Sequence, residues 1–75
     1  MSEQPDELRK LATIAADMQL PADLRTKAIE QLGNMATHES LLVLLELAAN
    51  ENLATSDRDR ALKKAREVIK KTTHQ

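Results

Sequence analysis

Apolar residues recur at helical spacing in four blocks. Leu8, Leu11, Ala12, Ile14, Ala15 and Met18 fall on one side of a helical projection, and Arg9, Lys10, Thr13 and Asp17 on the other. This pattern predicts an amphipathic helix over 5–18, with Pro5 in its first turn. Gln19 and Leu20 make a short connection, and Pro21 opens a second helix through Leu24, Ala28, Ile29 and Leu32, over 21–34. Gly33 and Asn34 are expected to end it. Thr37 or His38 is expected in a turn before a third helix over 39–50, in which Leu41 to Leu45, Leu47, Ala48 and Ala49 leave only a narrow polar arc of Glu39, Glu46 and Asn50. A helix apolar around most of its circumference is expected to be packed on several sides, which makes this the expected central helix. After Glu51 to Thr55, Ser56 is the expected N-cap of a fourth helix over 56–71 carrying Ala61, Leu62, Ala65, Val68 and Ile69, with 72–75 as a frayed tail. Leucine outnumbers β-branched residues in Leu41 to Leu45 and no partner strand is evident, so the expected class is all-α.

The blocks are copies. Displaced by 33 residues, Leu8, Leu11, Ala15, Ala16, Leu20, Arg25 and Ala28 fall on Leu41, Leu44, Ala48, Ala49, Leu53, Arg58 and Ala61. Ile14 falls on Leu47, Asp17 on Asn50, Ile29 on Leu62 and Met35 on Val68. A fixed period in this range marks stacked supersecondary units, each too small to bury its own apolar face. The expectation is one domain over residues 1–75 with about two repeats.

Orientation is preserved with identity. With Leu24 at zero on the second helix, Arg25 projects at about 100°, between Leu32 and Ile29. With Ala61 at zero on the fourth, Arg58 projects at about 60°, between Ala65 and Ile69. A first-turn arginine in an apolar arc lays its aliphatic stem on the core and carries its guanidinium to the edge. Arg25 and Arg58 are therefore expected to brace neighbouring units, with Asp17 and its equivalent Asn50 as the acceptors.

These residues resemble the HEAT-like repeat family, including the short bacterial repeats of the kind found in phycobilin lyases. Leu24-Arg25, Ala28-Ile29 and Leu32-Gly33 look like the first helix of a unit, and Leu41 to Ala49 like its leucine-rich second helix. Arg58 to Ala65 is similar to the next first helix, with Ala65-Arg66 in place of the Leu-Gly pair, as in a terminal cap. The resemblance implies a four-helix fragment of a right-handed α-solenoid, with 21–50 as the complete central unit, and use as a protein-interaction or scaffolding module. It also admits an accessory subunit of a lyase-type enzyme.

Charge and composition narrow the function. Residues 1–56 carry four Lys or Arg against nine Asp or Glu, whereas 57–75 carry seven against three. The basic fourth helix makes nucleic-acid association an alternative, but Asp57, Asp59 and Glu67 interleave with its cations. The chain has no aromatic residue, which removes base stacking and aromatic cages. It has no cysteine, and His38 and His74 lack the spacing of a metal pair. A single glycine leaves no glycine-rich phosphate cradle or nucleophile elbow. No catalytic, cofactor-binding or metal-binding residue is therefore assigned, and the chain is read as not an enzyme. The polar, acidic start at Met1 to Asp6 and the lack of a long apolar run point to a cytoplasmic protein without membrane contact.

The expected partner is a protein, including a second copy of this chain, because about three repeats are usual for a stable solenoid and here there are about two. The candidate partner-facing surface is the outer edge of the third helix: Glu39, Val43, Glu46 and Asn50.

Overall fold

The structure, a computed structural model, describes residues 6–73. Over these it consists of four helices and no strand: α1 (Asp6–Ala16), α2 (Ala22–Met35), α3 (His38–Ala49) and α4 (Thr55–Thr73). Pro5 and His74 lie outside the described residues. The chain forms two antiparallel helical hairpins, α1 with α2 and α3 with α4, which are also its most extensive interfaces. The hairpins stack mainly through α2 against α4, with α2 also touching α3 and α1 making a small contact with α3.

The 33-residue period is a period of structure, most sharply in the turns. α1 ends at Ala16 and α3 at Ala49, while α2 begins at Ala22 and α4 at Thr55. The Asp17 amide donates to the Ile14 carbonyl at 3.2 Å, and the Asn50 amide to that of Leu47 at 3.2 Å. Leu20 donates to the Asp17 carbonyl at 3.1 Å, as Leu53 does to that of Asn50 at 3.1 Å. The Asp17 side chain accepts from the Gln19 amide at 2.9 Å, and the Asn50 side chain from the Asn52 amide at 2.9 Å. An Asp or Asn is needed there because its short side chain closes a turn on the amide two residues on.

Several helix ends differ from the sequence pattern. α4 begins one residue earlier than expected: the Ala54 carbonyl accepts from the Arg58 amide at 3.0 Å, and Ser56 is inside the helix rather than its N-cap. It also continues to Thr73, two residues past the expected end. His38 is the first residue of α3, and Thr37 caps it through a reciprocal capping box with Ser40, the Thr37 hydroxyl accepting from the Ser40 amide and the Ser40 hydroxyl from the Thr37 amide. Ser thus takes the role that Glu or Gln usually has at that position, and its hydroxyl is fully buried as a result.

Gly33 does not terminate α2, which runs on to Met35 and stops at Ala36 in the left-handed region, φ 50°. Close packing requires the glycine. A Cβ on Gly33 would sit 2.9 Å from Lys64 Cδ, so the missing side chain lets α4 approach α2.

The core joins both hairpins. Leu8 and Ala15 of α1, Ala28, Ile29 and Leu32 of α2, Leu44 and Leu47 of α3, and Ala61, Ala65 and Val68 of α4 are buried together with Leu53 of the second turn. α2 is the best-enclosed of the first three helices, with Arg25, Ala28, Ile29, Leu32 and Gly33 buried, whereas α3 buries Ser40, Leu44 and Leu47. The leucine-rich α3 is therefore not wrapped on all sides: Leu42 and Leu45 face outward.

Candidate functional site

The inward arginines occupy the positions that helical projection gives them, and their acceptors define how the hairpins join. Arg25 is buried, and its Nε donates to Asp57 Oδ2 at 2.7 Å while its Nη1 donates to the Leu20 carbonyl at 2.6 Å. Asp57 is itself buried. One guanidinium thus ties α2 to the first turn of α4 and to its own preceding loop. The carboxylate it meets is Asp57 and not Asp17, whose side chain is engaged in the α1–α2 turn.

Arg58 does the corresponding work within the second hairpin: its Nε donates to the Ala48 carbonyl at 3.2 Å, near the C-terminal end of α3. The carbonyls of a helix's last turn lack intrahelical donors and carry its negative dipole end, so a cation there is well placed. Asn50 does not receive Arg58; it shapes the second turn.

Asp57 was legible in the sequence in one respect. The projection that puts Arg58 at about 60° from Ala61 puts Asp57 at about −40°, inside the buried arc. Its counterpart one period earlier is Leu24, an exposed apolar residue. The buried carboxylate therefore belongs only to the second copy, which is the one with an arginine stacked behind it.

The same comparison locates the surface where stacking stops. Arg25, Ile29 and Gly33 form an i, i+4, i+8 stripe on α2, held against α4 by Asp57 at one end and Lys64 at the other. Ile29 between them is 0% exposed. One period later the stripe is Arg58, Leu62 and Arg66 on α4, and Leu62 is 39% exposed. Ile69, seven residues further on the same side of α4, is exposed, as are Leu42 and Leu45 on α3.

Of the four residues expected on the partner-facing edge, Glu39 and Glu46 are exposed on α3, near Leu42 in projection. Val43 is half-buried against the core, and Asn50, also half-buried, closes the turn. Leu42 and Leu45, rather than Val43, are the outward apolar residues of this helix.

Around α4, Arg60 faces Glu30 at 3.9 Å and Lys64 faces Glu67 at 3.4 Å. Lys63, Arg66, Lys70 and Lys71 are exposed.

The concavities are shallow and one-sided. A groove of about 440 Å³ is lined by Arg9, Lys10, Thr13 and Ile14 of α1, and one of about 290 Å³ by Ser56, Asp59, Arg60 and Lys63 of α4. Among the described residues each is lined by a single helix. Among the described residues no three His, Asp or Glu side chains are grouped as a metal site would need. No described helix is long and apolar enough to cross a membrane. No protein-family profile, curated protein sequence or solved structure matches the chain.

Proposed function

We propose that this chain is a small non-catalytic protein-interaction module, a HEAT-like pair of stacked repeats in a right-handed solenoid arrangement, whose partner-facing surface is the outer side of its second hairpin. The observation that carries the reading is the contrast between equivalent residues: Ile29 is 0% exposed because α4 covers its stripe, and Leu62 is 39% exposed. Four large apolar side chains, Leu42, Leu45, Leu62 and Ile69, are exposed on the same hairpin. Met18 and Leu24 are exposed on the first hairpin, so the reading rests on the greater share of large outward apolar residues on the second, together with charge beside them. Glu39 and Glu46 on α3, and Arg58 and Arg66 on α4, supply the charged rim.

Affinity capture from the native host, comparing the wild-type chain with Leu42→Glu and Leu62→Glu, tests the reading. It predicts protein partners that both variants lose while their thermal transitions stay close to wild type. An identical partner set for all three chains refutes it.

A second reading has one observation in its favour: Lys63, Arg66 and Lys70 project within about 60° of one another on the exposed side of α4. Such a stripe can follow a phosphate backbone. It predicts binding of labelled duplex or single strands at low salt that weakens steeply with added salt and on Lys63→Ala/Lys70→Ala substitution. Absence of retention at low salt eliminates it.

A further inference from the structure

The α2–α4 contact shows what kind of helix the repeated stripe takes. Arg25 meets Asp57 at 2.7 Å, and Gly33, eight residues on, meets Lys64, seven residues on. α4 therefore runs along α2 in the same direction. It presents Asp57, Ala61 and Lys64, an i, i+4, i+7 row in which Ala61 is as fully buried as Ile29.

One period later the stripe recurs on α4 as Arg58, Leu62 and Arg66, and Ile69 extends it. With Ala61 at zero these four project at about 60°, 100°, 140° and 80°, a continuous strip of one helix. Asp57 and Lys64, which face α2, project at about −40° and −60°, so the strip lies on the flank away from α2. Leu62, Arg66 and Ile69 are exposed and Arg58 is half-buried.

The two inward arginines differ in what they hold. The Nε of Arg25 donates to a carboxylate at 2.7 Å, whereas that of Arg58 is turned to the neutral Ala48 carbonyl at 3.2 Å. Among the described residues no carboxylate is paired with Arg58 or Arg66, although Arg25, Arg60 and Lys64 each have one. A half-buried guanidinium beside outward apolar side chains favours an anionic group that brings apolar surface with it.

We propose that this strip docks an acidic amphipathic helix of another protein, lying on α4 as α4 lies on α2. This inference rests on the interaction-module reading and gives the partner a chemistry. The register of the existing contact places the ligand's residues. An Asp or Glu in its first turn, at position i, takes the place of Asp57 and meets Arg58, where it also complements the positive end of its own helix. Positions i+4 and i+11 lie over Leu62 and Ile69, and both are apolar. Position i+7 meets Arg66 where Lys64 meets Gly33, so a carboxylate replaces the lysine. Arg66 also denies the close approach that Gly33 allows, so the residue at i+4 is larger than Ala61, a leucine or isoleucine. The four positions fall within about 60° on the ligand helix, as in a helix laid into a groove.

A second copy of the chain matches the strip less well. Stacked head to tail, it brings α2, which offers Leu24 in the place of Asp57 and Gln31 in the place of Lys64. Neither arginine then gains a carboxylate.

The test is fluorescence anisotropy of a labelled peptide carrying Asp, Leu, Glu and Leu at i, i+4, i+7 and i+11 on an alanine- and glutamine-rich helix, titrated with the full chain. The docking predicts saturable binding, weakened about tenfold or more by Leu62→Glu and by Arg66→Glu. A peptide with Lys at i+7 is expected to restore the affinity of Arg66→Glu. Lys71→Glu makes the same charge change on the opposite side of α4, at about −80°, and is expected to bind within about twofold of wild type. Circular dichroism melts establish that each variant is folded. A scrambled peptide of equal composition that binds as well, Arg66→Glu no weaker than Lys71→Glu, or no binding to the wild type overturns the docking. Self-association through Leu62 in sedimentation equilibrium makes a second copy the occupant and overturns it too. Host proteins captured by the wild type and lost with Leu62→Glu, with no peptide bound, overturn the acidic helix and leave the interaction-module reading standing.

Discussion

Replacing Asp57 by leucine, the residue one period earlier, tests how the two hairpins are joined. The substitution leaves the Arg25 guanidinium buried, with the Leu20 carbonyl as its remaining acceptor. Removing one partner of a buried ion pair destabilises a protein by about 3–5 kcal/mol, since the other charge stays desolvated. The retained carbonyl contact places the expectation at the low end, about 3 kcal/mol. A chain of this length has a total stability of about 4–11 kcal/mol, so the loss is a large fraction of the whole. It corresponds to a fall in Tm of about 12–25 °C. Arg25→Met alone strands Asp57 and is expected to destabilise comparably. Arg25→Met with Asp57→Leu removes both charges, and apolar replacements of a buried pair are often neutral or better. The double variant is therefore expected within about 1 kcal/mol of wild type, a coupling of several kcal/mol. Urea unfolding followed by circular dichroism, repeated at low and high salt, measures the cycle; a buried pair is only weakly screened. A loss under about 0.5 kcal/mol for Asp57→Leu, or single effects that simply add, refutes the brace.

Other expectations follow from the same packing. Ile29→Ala is expected to cost about 2–5 kcal/mol, and the equivalent Leu62→Ala under about 1 kcal/mol in the monomer, because only the first is enclosed; denaturant titration at low protein concentration compares them. Gly33→Ala gains about 1 kcal/mol of helix propensity but sets a Cβ 2.9 Å from Lys64 Cδ and 3.2 Å from Lys64 Cβ, so it is expected to destabilise by about 1–3 kcal/mol, and Lys64→Ala, which keeps its own Cβ, to relieve only part of that loss. Thr37→Ala should lose about 1 kcal/mol with the α3 capping box. Ala36→Gly should raise stability by about 0.5–1 kcal/mol, because Ala36 holds a left-handed conformation that glycine adopts without strain. Thermal melts check both.

Periodicity made the helices, the repeat and the inward lean of both arginines legible, because each depends on spacing along one chain. The acceptors were not legible in the same way. Asp17 is close to Arg25 in sequence, but its side chain is taken by the Gln19 amide, and the partner comes from a helix 32 residues on. α3 shows the limit of counting apolar residues: Leu42 and Leu45 belong to its apolar run yet face outward, since burial depends on whether a further element exists to cover them. Gly33 has the composition of a helix terminator and the position of a helix contact, a distinction that only the placement of Lys64 makes. The outer surface needed both kinds of information. The repeat identified Leu62 as the counterpart of Ile29, and the structure gave their opposite exposures.

The 33-residue period is a stack of two like hairpins, α4 lying on α2 along the Arg25–Ile29–Gly33 stripe. Isotope-edited NOE spectroscopy of the labelled protein probes this stacking. Stacked hairpins give contacts from the Gly33 α-protons to the Lys64 side chain and from the Arg25 Nε proton to the Asp57 β-protons, with that Nε proton exchanging more slowly than the one of exposed Arg9. Absence of both contacts, with the Arg25 proton exchanging as fast as that of Arg9, would contradict it.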